Sequence, residues 1–552
     1  MKTQQKIKRS ATLVQYQDSA QQAIKIMFPF NTKDLECVKT LPGRRFNGAQ
    51  QPKHWVCPLS IEAVQLLKEW GFELDEALEA FSQNATVSVH DIDSSALEIP
   101  GLKMELFPFQ KKGVAFIEAK NGRALISDEM GLGKTAQALA WLQLHPEKRP
   151  VIIVVPASLK LNWEREIKMW MGDVSVQILS GKKADTPLIG EILIINYDIL
   201  SAWVGRLQKI KASVLITDEA HFYKSNKSQR TKAIKALGKS IPHVIALSGT
   251  PIVNRPIEMF NALQMVDRTV VPDFWHYARR YCGAKHTHFG WDFTGASNTD
   301  ELHQKLIATC MIRRLKKDVL LDLPDKLYSF MPFELSNAKE YRKAEQDFIQ
   351  WLREVRGDEA ARKAKGAETL TKIEVLKQLA VQGKMPQAIE WIQNFLDVGN
   401  KLVVFATHKF VIEALMNAFG DIAVRIDGSV TGADRDKAVQ KFQNNEKIRL
   451  FVGNIKAAGV GLTLTAASNV AFLEFPWTPG DLSQAEDRCH RIGQKDSVTV
   501  YYLLSQNSIE EKIVAMLDSK RRILDQILDG KETSQENLLS ELLNAYKGED
   551  NV

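Results

Sequence analysis

Cysteine is scarce in this chain of 552 residues. The five cysteines lie far apart in the sequence and form no CxxC pair. Disulfide-stapled domains and zinc modules both need cysteines at short, repeated spacings. The sequence therefore predicts neither a disulfide framework nor a structural metal, and it favours a reducing, intracellular setting.

Long apolar runs are also missing. No stretch approaches the ~20 apolar residues that a membrane-spanning helix needs. The first residues, MKTQQKIKRSATLVQYQDS, lack the apolar core of a secretory signal. Repetitive and strongly polar tracts are absent as well. We therefore expect a soluble, intracellular protein that has no membrane partner and buries sizeable cores.

Charge of either sign is not in large excess. The chain has 73 basic and 66 acidic residues, which gives a formal charge of +7. Such a small excess permits nucleic-acid binding without requiring it. The length predicts several folding units, roughly three to four.

Short apolar runs rich in β-branched residues alternate with amphipathic stretches from about residue 104. This alternation is typical of the strands and helices of parallel α/β sheets. The first series of predicted strands is Ala124–Ser127, Val151–Val155, Ile192–Ile195, Val214–Thr217 and Val244–Leu247. The second series is Leu402–Phe405, Ala423–Ile426, Leu450–Val452, Val470–Leu473 and Val498–Leu503. The predicted fold class is α/β, with two parallel-sheet lobes.

Changes in composition divide the chain further. Residues 1–100 carry clustered turn signals, and the segment before the second lobe is charged and helix-prone. Thr533 and Glu536 form a potential capping box before a leucine stripe. The predicted parts are a small module at 1–100, a first lobe at 104–330, a helical connector at 331–395, a second lobe at 396–525 and a brace helix at 526–552.

A phosphate-binding loop is predicted between a strand and a helix at Arg123–Leu139. Gly131 and Gly133 would let backbone N–H groups approach phosphate oxygens. Lys134 would reach the β- and γ-phosphates, and Thr135 would bind Mg²⁺. The usual pattern has glycine where this chain has Asp128, so the alternative is a glycine turn that caps a helix.

Two adjacent carboxylates follow the apolar run Val214–Thr217. At the edge of a sheet, Asp218 would hold Mg²⁺ and Glu219 would orient and deprotonate the attacking water. A solvated acidic turn is the alternative for this pair taken alone.

Two arginines stand three residues apart in the run Gln484–Gln494. This spacing places Arg488 and Arg491 on one face if the segment is helical. Guanidinium groups facing a cleft would stabilise the charge that develops in phosphoryl transfer. A helix carrying surface ion pairs is the alternative.

Together these motifs resemble the SWI/SNF-type ATPases of helicase superfamily two, from Leu106 to about Leu504. Further matching blocks are Phe107–Gly113, Asp128–Thr135, Val155–Lys160, Lys224–Lys232, Leu247–Pro251, Ile312–Val319 and Gly459–Ala466. The resemblance implies two RecA-like lobes that use ATP and Mg²⁺. Ala458 departs from the glycine that many members carry in this motif.

The resemblance implies roles for further residues. Gln110 would read adenine, Ser248 and Thr250 would couple hydrolysis to lobe movement, and Gly461 would place backbone at the nucleotide. Gln484 would join the catalytic set. The nucleotide would also contact the remaining loop residues Asp128, Glu129, Met130 and Leu132.

Segments outside the core motifs look most like the annealing-helicase subgroup. These are Trp291–Asn298 and Trp477–Gly480, with an amino-terminal module that resembles a HARP domain. Phosphate contacts are expected from Lys160, Thr407 and Thr463. In the module, Arg44 and Arg45 beside Phe46 and Trp55 would bind phosphates and exposed bases, or else surround a small aromatic core.

The sequence thus predicts an ATP-dependent translocase on double-stranded DNA that remodels or anneals forked or branched DNA, in a nucleus or nucleoid. Protein partners would target it. One alternative is a motor that remodels protein–nucleic-acid complexes, such as nucleosomes or a stalled polymerase. The other is a catalytically inactive DNA-binding scaffold.

Overall fold

The computed structural model describes residues 8–15, 22–84, 92–252, 255–288, 290–320, 322–348, 350, 368–430, 432–458 and 461–529. The chain divides into two compact units whose main boundary falls between Arg314 and Leu315. The capping box predicted at Thr533 and Glu536 lies outside the described residues, as does Gly459.

The amino-terminal module is a five-stranded sheet in the order β3-β4-β2-β1-β5 with three helices. Its elements are β1 (Ser10–Gln15), β2 (Gln22–Met27), α1 (Thr32–Thr40), β3 (Arg45–Asn47), β4 (His54–Pro58), α2 (Ile61–Glu69), β5 (Glu73–Leu74) and α3 (Glu76–Asn84). Side chains of Asn31 and Ser60 cap α1 and α2 by accepting backbone N–H bonds. Alternate residues of β2, among them Ile24 and Ile26, are buried against the helices. The identity of this module as a HARP domain stays a prediction.

The first unit also contains a seven-stranded sheet in the order β14-β6-β11-β10-β7-β9-β8. Its strands are β6 (Arg123–Ile126), β7 (Val151–Val155), β8 (Val176–Ile178), β9 (Ile192–Asn196), β10 (Val214–Asp218), β11 (His243–Leu247) and β14 (Met311–Ile312). The surrounding helices are α4 (Pro108–Ala119), α5 (Lys134–Leu144), α6 (Lys160–Met171), α7 (Tyr197–Leu207), α8 (Gln229–Gly238), α9 (Phe260–Val266), α10 (Phe274–Tyr281) and α11 (Thr299–Thr309). A hairpin, β12 (Lys285–Thr287) and β13 (Gly290–Asp292), follows α10.

The sheet brings the predicted motifs of the first lobe to one edge. β6, β11 and β10 are parallel neighbours, so the loops that follow them leave the sheet side by side. The central strands are buried throughout because helices cover both faces. All five strands predicted for this lobe are confirmed to within a residue or two at their ends.

The amino-terminal module contacts the rest of the first unit through Glu62 of α2. Its Oε2 atom lies 3.2 Å from Lys305 Nζ and 3.4 Å from His276 Nε2. The nearby His276 ring and the Lys305 ammonium act against burial and lower the pKa of Glu62 to about 2. The carboxylate therefore stays charged at neutral pH and ties α2 to α10 and α11.

The second unit is built on a six-stranded parallel sheet in the order β15-β20-β19-β16-β18-β17. Its strands are β15 (Lys326–Phe333), β16 (Leu402–Ala406), β17 (Ala423–Ile426), β18 (Leu450–Asn454), β19 (Asn469–Phe472) and β20 (Val498–Ser505). Its helices are α12 (Lys316–Val319), α13 (Ala338–Gln346), α14 (Glu368–Asp397), α15 (Lys409–Phe419), α16 (Gly432–Asn444), α17 (Ile455–Ala458), α18 (Pro479–Glu486) and α19 (Ile509–Asp529). The five strands predicted for the second lobe are confirmed.

β15 differs from the sequence-based expectation. It spans the predicted boundary at residue 330 and pairs in parallel with β20 along its whole length. As an edge strand with one partner it remains partly exposed, and it tolerates Pro332. Its residues therefore lack the continuous apolar run by which the interior strands were recognised.

Candidate functional site

The loop between β6 and α5 has the backbone of a phosphate-binding loop. Gly131 and Gly133 both have positive φ angles, 88° and 73°. Side chains with a Cβ avoid this region, so the loop needs glycine at these points. Gly133 caps α5, and Lys134 and Thr135 are the first residues of the helix. The start of a helix is where backbone N–H groups and the positive end of the helix dipole favour an anion.

Gln110 lies against this loop. A Cβ atom on Gly133 would come within 2.3 Å of Gln110 Nε2. The amide is buried, and its Oε1 accepts a hydrogen bond from the backbone N–H of Phe107 at 3.0 Å. The structure therefore places the proposed adenine-reading side chain next to the phosphate loop.

Lys134 is folded back over its own loop. Its Nζ donates to the carbonyl oxygens of Asp128 at 2.8 Å and Glu129 at 3.3 Å. This position centres the ammonium group on the loop where the β- and γ-phosphates are expected.

The Asp128 side chain anchors the start of the loop through buried hydrogen bonds. Its carboxylate is fully buried and accepts hydrogen bonds from Arg314 Nε and Gln137 Nε2, each at 2.9 Å. Arg314 also donates to Gln137 Oε1 at 2.9 Å and to the carbonyl of Phe109. Asp128 therefore offers its backbone carbonyl to the loop, and its side chain joins the loop to α4, α5 and the end of the first unit.

Arg313 and Arg314 were missed as site residues, although their block was recognised in the sequence. Arg313 Nη1 donates to Ser127 O at 2.9 Å and to Gly249 O at 3.3 Å. It therefore joins the strand before the phosphate loop to the Ser-Gly-Thr motif after β11. The only signal in the sequence was a pair of arginines after a short apolar run.

Asp218 ends β10 beside the phosphate loop. Its Oδ2 accepts a hydrogen bond from Trp163 Nε1 at 2.8 Å, and Oδ1 accepts one from the N–H of Glu219 at 2.9 Å. Burial raises the pKa of Asp218, and the adjacent Glu219 charge raises it further. A divalent cation at this carboxylate would oppose both effects.

The oxygen donors near the loop fit Mg²⁺. Among the described residues no group of three or more His, Cys, Asp and Glu side chains could hold a metal. Mg²⁺ usually needs no such cage, because substrate phosphates and waters complete its shell around one or two protein oxygens. The Thr135 hydroxyl and the Asp218 carboxylate are donors of this kind.

Glu219 is held in an unusual backbone conformation. Its φ of 51° and ψ of 56° are left-handed, a region costly for a residue with a Cβ. His221 Nδ1 lies 3.4 Å from Glu219 Oε2 and also 3.4 Å from Ser248 Oγ. His221 thus lies between Glu219, the predicted general base, and Ser248, which belongs to the predicted coupling motif.

Ser248 and Thr250 lie at the same edge of the sheet. Ser248 is fully buried, and its N–H donates to Ile126 O at 3.1 Å, at the end of the strand that precedes the phosphate loop. Thr250 is half-buried, two residues further along the chain. The structure thus brings this motif to the phosphate loop and the acidic pair.

In the second unit, Arg488 and Arg491 converge on one carbonyl. Nη1 of Arg491 donates to Leu462 O at 2.9 Å and to Thr463 Oγ1 at 3.0 Å, and Nη1 of Arg488 lies 3.4 Å from Leu462 O. Arg488 Nε also donates to the carbonyl of Gln484, whose side chain is buried. Gly461 begins this segment with a φ of 74°.

The expectation that both arginines lie on one helical face was wrong. α18 ends at Glu486, two residues before Arg488. The carbonyl of Arg488 accepts a bond from the N–H of Leu464 at 2.9 Å, which draws the chain away from a helical path. The arginines are therefore brought together by the Gly461–Thr465 segment.

Two lysines, one buried and one partly buried, fix the residues between α18 and these arginines. Lys316 Nζ and Lys326 Nζ lie 2.9 and 2.7 Å from Asp487 Oδ1. Burial raises the pKa of Asp487, but the two lysines outweigh it and leave the pKa lowered. Burial and the same lysine charges lower the pKa of His490 to about 4, so it donates to Pro324 O as a neutral imidazole.

The residues predicted to contact nucleic acid differ in their hydrogen-bond partners and in their exposure. Lys160 Nζ donates to Leu179 O at 3.1 Å, and Thr463 accepts from Arg491. The N–H of Thr407 donates to Glu474 at 2.7 Å. Arg44 and Arg45 lie at the exposed start of β3, where Arg44 Nη1 donates to Leu41 O at 3.3 Å.

These features define a class, the α/β proteins that bind nucleotides through a phosphate loop at the edge of a parallel sheet. Family models match nearly the whole core. A model described as "SNF2-related domain" matches residues 109–385, and one described as "Helicase conserved C-terminal domain" matches residues 383–493.

Similar curated proteins agree with these matches. "DNA annealing helicase and endonuclease ZRANB3" of Homo sapiens is 34% identical over 78% of this chain and 41% of its own length. The "SWI/SNF-related matrix-associated actin-dependent regulator of chromatin subfamily A-like protein 1 homolog" of Caenorhabditis elegans is 32% identical over 92% of this chain and 75% of its own length. The solved "Sulfolobus solfataricus SWI2/SNF2 ATPase core in complex with dsDNA" is 26% identical, covers 81% of this chain and 98% of that chain, and has a TM-score of 0.39.

The chain belongs to the SNF2-related family. Membership confirms the resemblance to SWI/SNF-type ATPases and the two-lobe α/β fold predicted from the sequence. The chain spans less than half the length of several curated relatives, for example 41% of the human protein named above. In the described part of the chain, no helix is both long enough and apolar enough to cross a bilayer.

Proposed function

We propose that this protein hydrolyses ATP to move along double-stranded DNA and that it remodels or anneals forked and branched DNA. The observation that carries the proposal is the meeting of the Lys134 loop, the acidic pair and Ser248 at one edge of the sheet in an SNF2-related chain. Relatives named as annealing helicases support forked DNA as the substrate.

The residues of the first lobe have distinct roles in this proposal. Backbone N–H groups of the loop and the Lys134 ammonium bind the phosphates of ATP. Thr135 and Asp218 would hold Mg²⁺, which would supply positive charge to neutralise the charge on the phosphate oxygens. Glu219 orients and deprotonates the attacking water, and its strained backbone holds the carboxylate in place.

The second lobe contributes Arg488 and Arg491. The Leu462 carbonyl, Lys316 and Lys326 position the segment that carries both guanidinium groups. In the proposed cycle, DNA aligns the lobes so that these groups reach the γ-phosphate, and hydrolysis therefore depends on DNA. The contact of His221 with both Glu219 and Ser248 supports coupling between hydrolysis and movement of the lobes.

The first test measures ATP hydrolysis with no nucleic acid, single-stranded DNA, blunt duplex, forked DNA and RNA at one stated salt concentration. We expect the strongest stimulation with duplex or fork. Stimulation by RNA alone would contradict the choice of DNA, and no hydrolysis under any condition would favour the inactive scaffold. Nucleosome sliding by the purified chain would favour the motor that remodels protein–nucleic-acid complexes.

Site variants test the residue assignments. Lys134→Ala and Glu219→Gln should abolish turnover, whereas Lys209→Ala, an exposed lysine of the same lobe, should not. DNA-stimulated hydrolysis that survives in either site variant would remove this assignment. DNA and protein partners and a nuclear or nucleoid location remain predictions.

A further inference from the structure

The first unit exposes two tryptophans side by side. Trp275 on α10 and Trp291 on β13 retain 40% and 41% of their surface exposed. Their ring centroids are 5.0 Å apart, and the rings are inclined by 65°. Tryptophans of this lobe such as Trp141, Trp163 and Trp203 are fully buried, so this exposure is not general.

The exposed rings pack on partly buried aromatic rings, which in turn pack on a buried one. Phe293 is nearly parallel to Trp291, at 8° and 6.4 Å, and lies 5.4 Å from Phe274. Phe274 in turn packs edge-on against Phe260, which is buried, at 5.2 Å. These inner rings hold the outer rings in fixed orientations, so little entropy would be lost when a planar group stacks on them.

A guanidinium group lies against both tryptophans. The Arg279 guanidinium carbon is 5.8 Å from the centre of the Trp275 ring and 5.7 Å from that of Trp291. Arg279 follows Trp275 by one helical turn, which places both on one face of α10. The next residue, Arg280, is instead engaged by Glu301, at 2.6 Å from Nε.

The charges around these rings are mainly positive. Lys285 and His286 are exposed on β12, and the His286 ring lies 5.3 Å from that of Trp291. Asp292 is held by Thr294, whose N–H and hydroxyl donate to it at 2.9 and 3.1 Å. These hydrogen bonds lower the pKa of Asp292, and Arg255 and Lys285 lower it further. The nearby carboxylate thus has two cations, Arg255 and Lys285, within electrostatic reach.

The helix that carries Trp275 adjoins the amino-terminal module. His276, next to Trp275, contacts Glu62 of α2. A Cβ atom on Gly43 would lie 3.9 Å from Cβ of Asp273, the residue that caps α10. Gly43 directly precedes Arg44 and Arg45, so the basic segment predicted to contact DNA starts beside this helix.

Two occupants fit exposed aromatic rings beside arginine. Protein partners commonly use Trp and Arg as binding anchors. Single-stranded nucleic acid needs flat rings for its bases together with a cationic track for its phosphates. The excess of cations around Trp291 complements a polyanion, and this favours nucleic acid.

We propose that Trp275, Trp291 and Arg279 form a platform on which unpaired bases of single-stranded DNA stack, while Lys285 and His286 face the phosphates. The inference rests on the proposed function, since it assigns the unpaired arm of a DNA fork to this surface. The Trp291–Asn298 segment, which resembles the annealing-helicase subgroup, would then bind single-stranded DNA, a role that the ATPase motifs do not supply.

The test is equilibrium binding of a fluorescent oligo(dT) and of a blunt duplex to the full chain, without ATP and at fixed salt. Stacking is worth about 1–3 kcal/mol per base, so Trp291→Ala should weaken oligo(dT) binding about 5- to 150-fold. Duplex binding should stay at the wild-type level. Unchanged oligo(dT) binding, or an equal loss with duplex, would overturn the proposal.

Conservative variants separate stacking from folding. Trp291→Phe keeps an aromatic face and should retain most of the affinity, whereas Trp291→Leu keeps apolar packing and should not. Equal affinities for these two would overturn the proposal. Trp477→Ala is the matched control, because Trp477 is also 40% exposed and has Lys377 Nζ 4.3 Å from its ring centre. An equal loss in that variant would also overturn it.

Failure of this inference is distinguishable from failure of the proposed function. ATP hydrolysis stimulated by blunt duplex should be the same in wild type and Trp291→Ala. If no DNA stimulates hydrolysis in the wild type, the proposed function fails, while the binding measurement without ATP still decides whether the platform exists.

Discussion

Restoring the usual glycine of the phosphate-loop pattern should harm this protein. Asp128→Gly would match the general motif better, but it would remove the carboxylate that Arg314 and Gln137 bind. Arg314 is only 11% exposed in its side chain, and Asp128 is fully buried. The guanidinium would therefore remain in the interior without its counter-charge.

The size of the effect follows from this burial. Removing one partner of a buried ion pair costs about 3–5 kcal/mol. Arg314 would keep its bonds to Gln137 Oε1 and to the Phe109 carbonyl, so the low end, about 3 kcal/mol, is expected. The first unit has roughly 300 residues, and at about 2.1 cal/mol/K of unfolding entropy per residue each kcal/mol shifts its unfolding midpoint by about 1.5 °C, so the midpoint should fall by about 5 °C.

Calorimetry of wild type and Asp128→Gly, with and without an ATP analogue, measures this effect. We also expect weaker nucleotide binding. The backbone carbonyl of residue 128 accepts a hydrogen bond from Lys134, and without the carboxylate nothing would tie this part of the backbone to Arg314 and Gln137. In Arg314→Met the additional change Asp128→Gly should cost less than it does alone. A wild-type midpoint for Asp128→Gly, or tighter nucleotide binding, would refute the role assigned to this carboxylate.

Three further predictions concern buried or docked groups. Gly113→Ala should destabilise the first unit, because the added Cβ would lie 1.8 Å from Gln137 Oε1, even though alanine favours helices. An unchanged midpoint of thermal unfolding would refute this. Lys384→Met should lower the free energy of unfolding, measured in urea, by about 3–5 kcal/mol, because Lys384 Nζ lies 2.6 Å from the buried Glu510 carboxylate. Adding Glu510→Gln to this variant should restore part of the loss, because it removes the buried charge left without a partner. Glu62 has its pKa lowered from 4.5 to about 2, so its stabilisation is complete above about pH 4.5 and is lost as pH falls towards 2. The difference in unfolding temperature between wild type and Glu62→Gln should therefore shrink over that range, and a constant difference would contradict the assignment.

The parallel strands of both lobes were predictable because helices bury them on both faces. Val151–Val155 and Leu402–Ala406 are apolar at every position, a pattern set by burial and visible without any knowledge of the fold. The phosphate loop was predictable for a related reason, since its glycines and Lys134-Thr135 act through backbone geometry within a few residues of one another.

Features that depend on distant partners were not visible in this way. β15 could not be assigned to the second sheet, because an edge strand with one neighbour needs no continuous apolar run. The arginine segment resembled a helix face, yet Arg488 and Arg491 are placed by Leu462, more than twenty residues earlier in the chain.

Local spacing therefore determined the nucleotide loop, the acidic pair and the strands, because each of these follows from the chemistry of a few neighbouring residues. Tertiary structure alone decided what Asp128 binds, where α18 ends and that Trp275 lies beside Trp291. Each of these depends on which groups come into contact when the chain folds. The free energy of a buried charge or a stacked ring depends on its partner, and spacing along the sequence does not identify that partner.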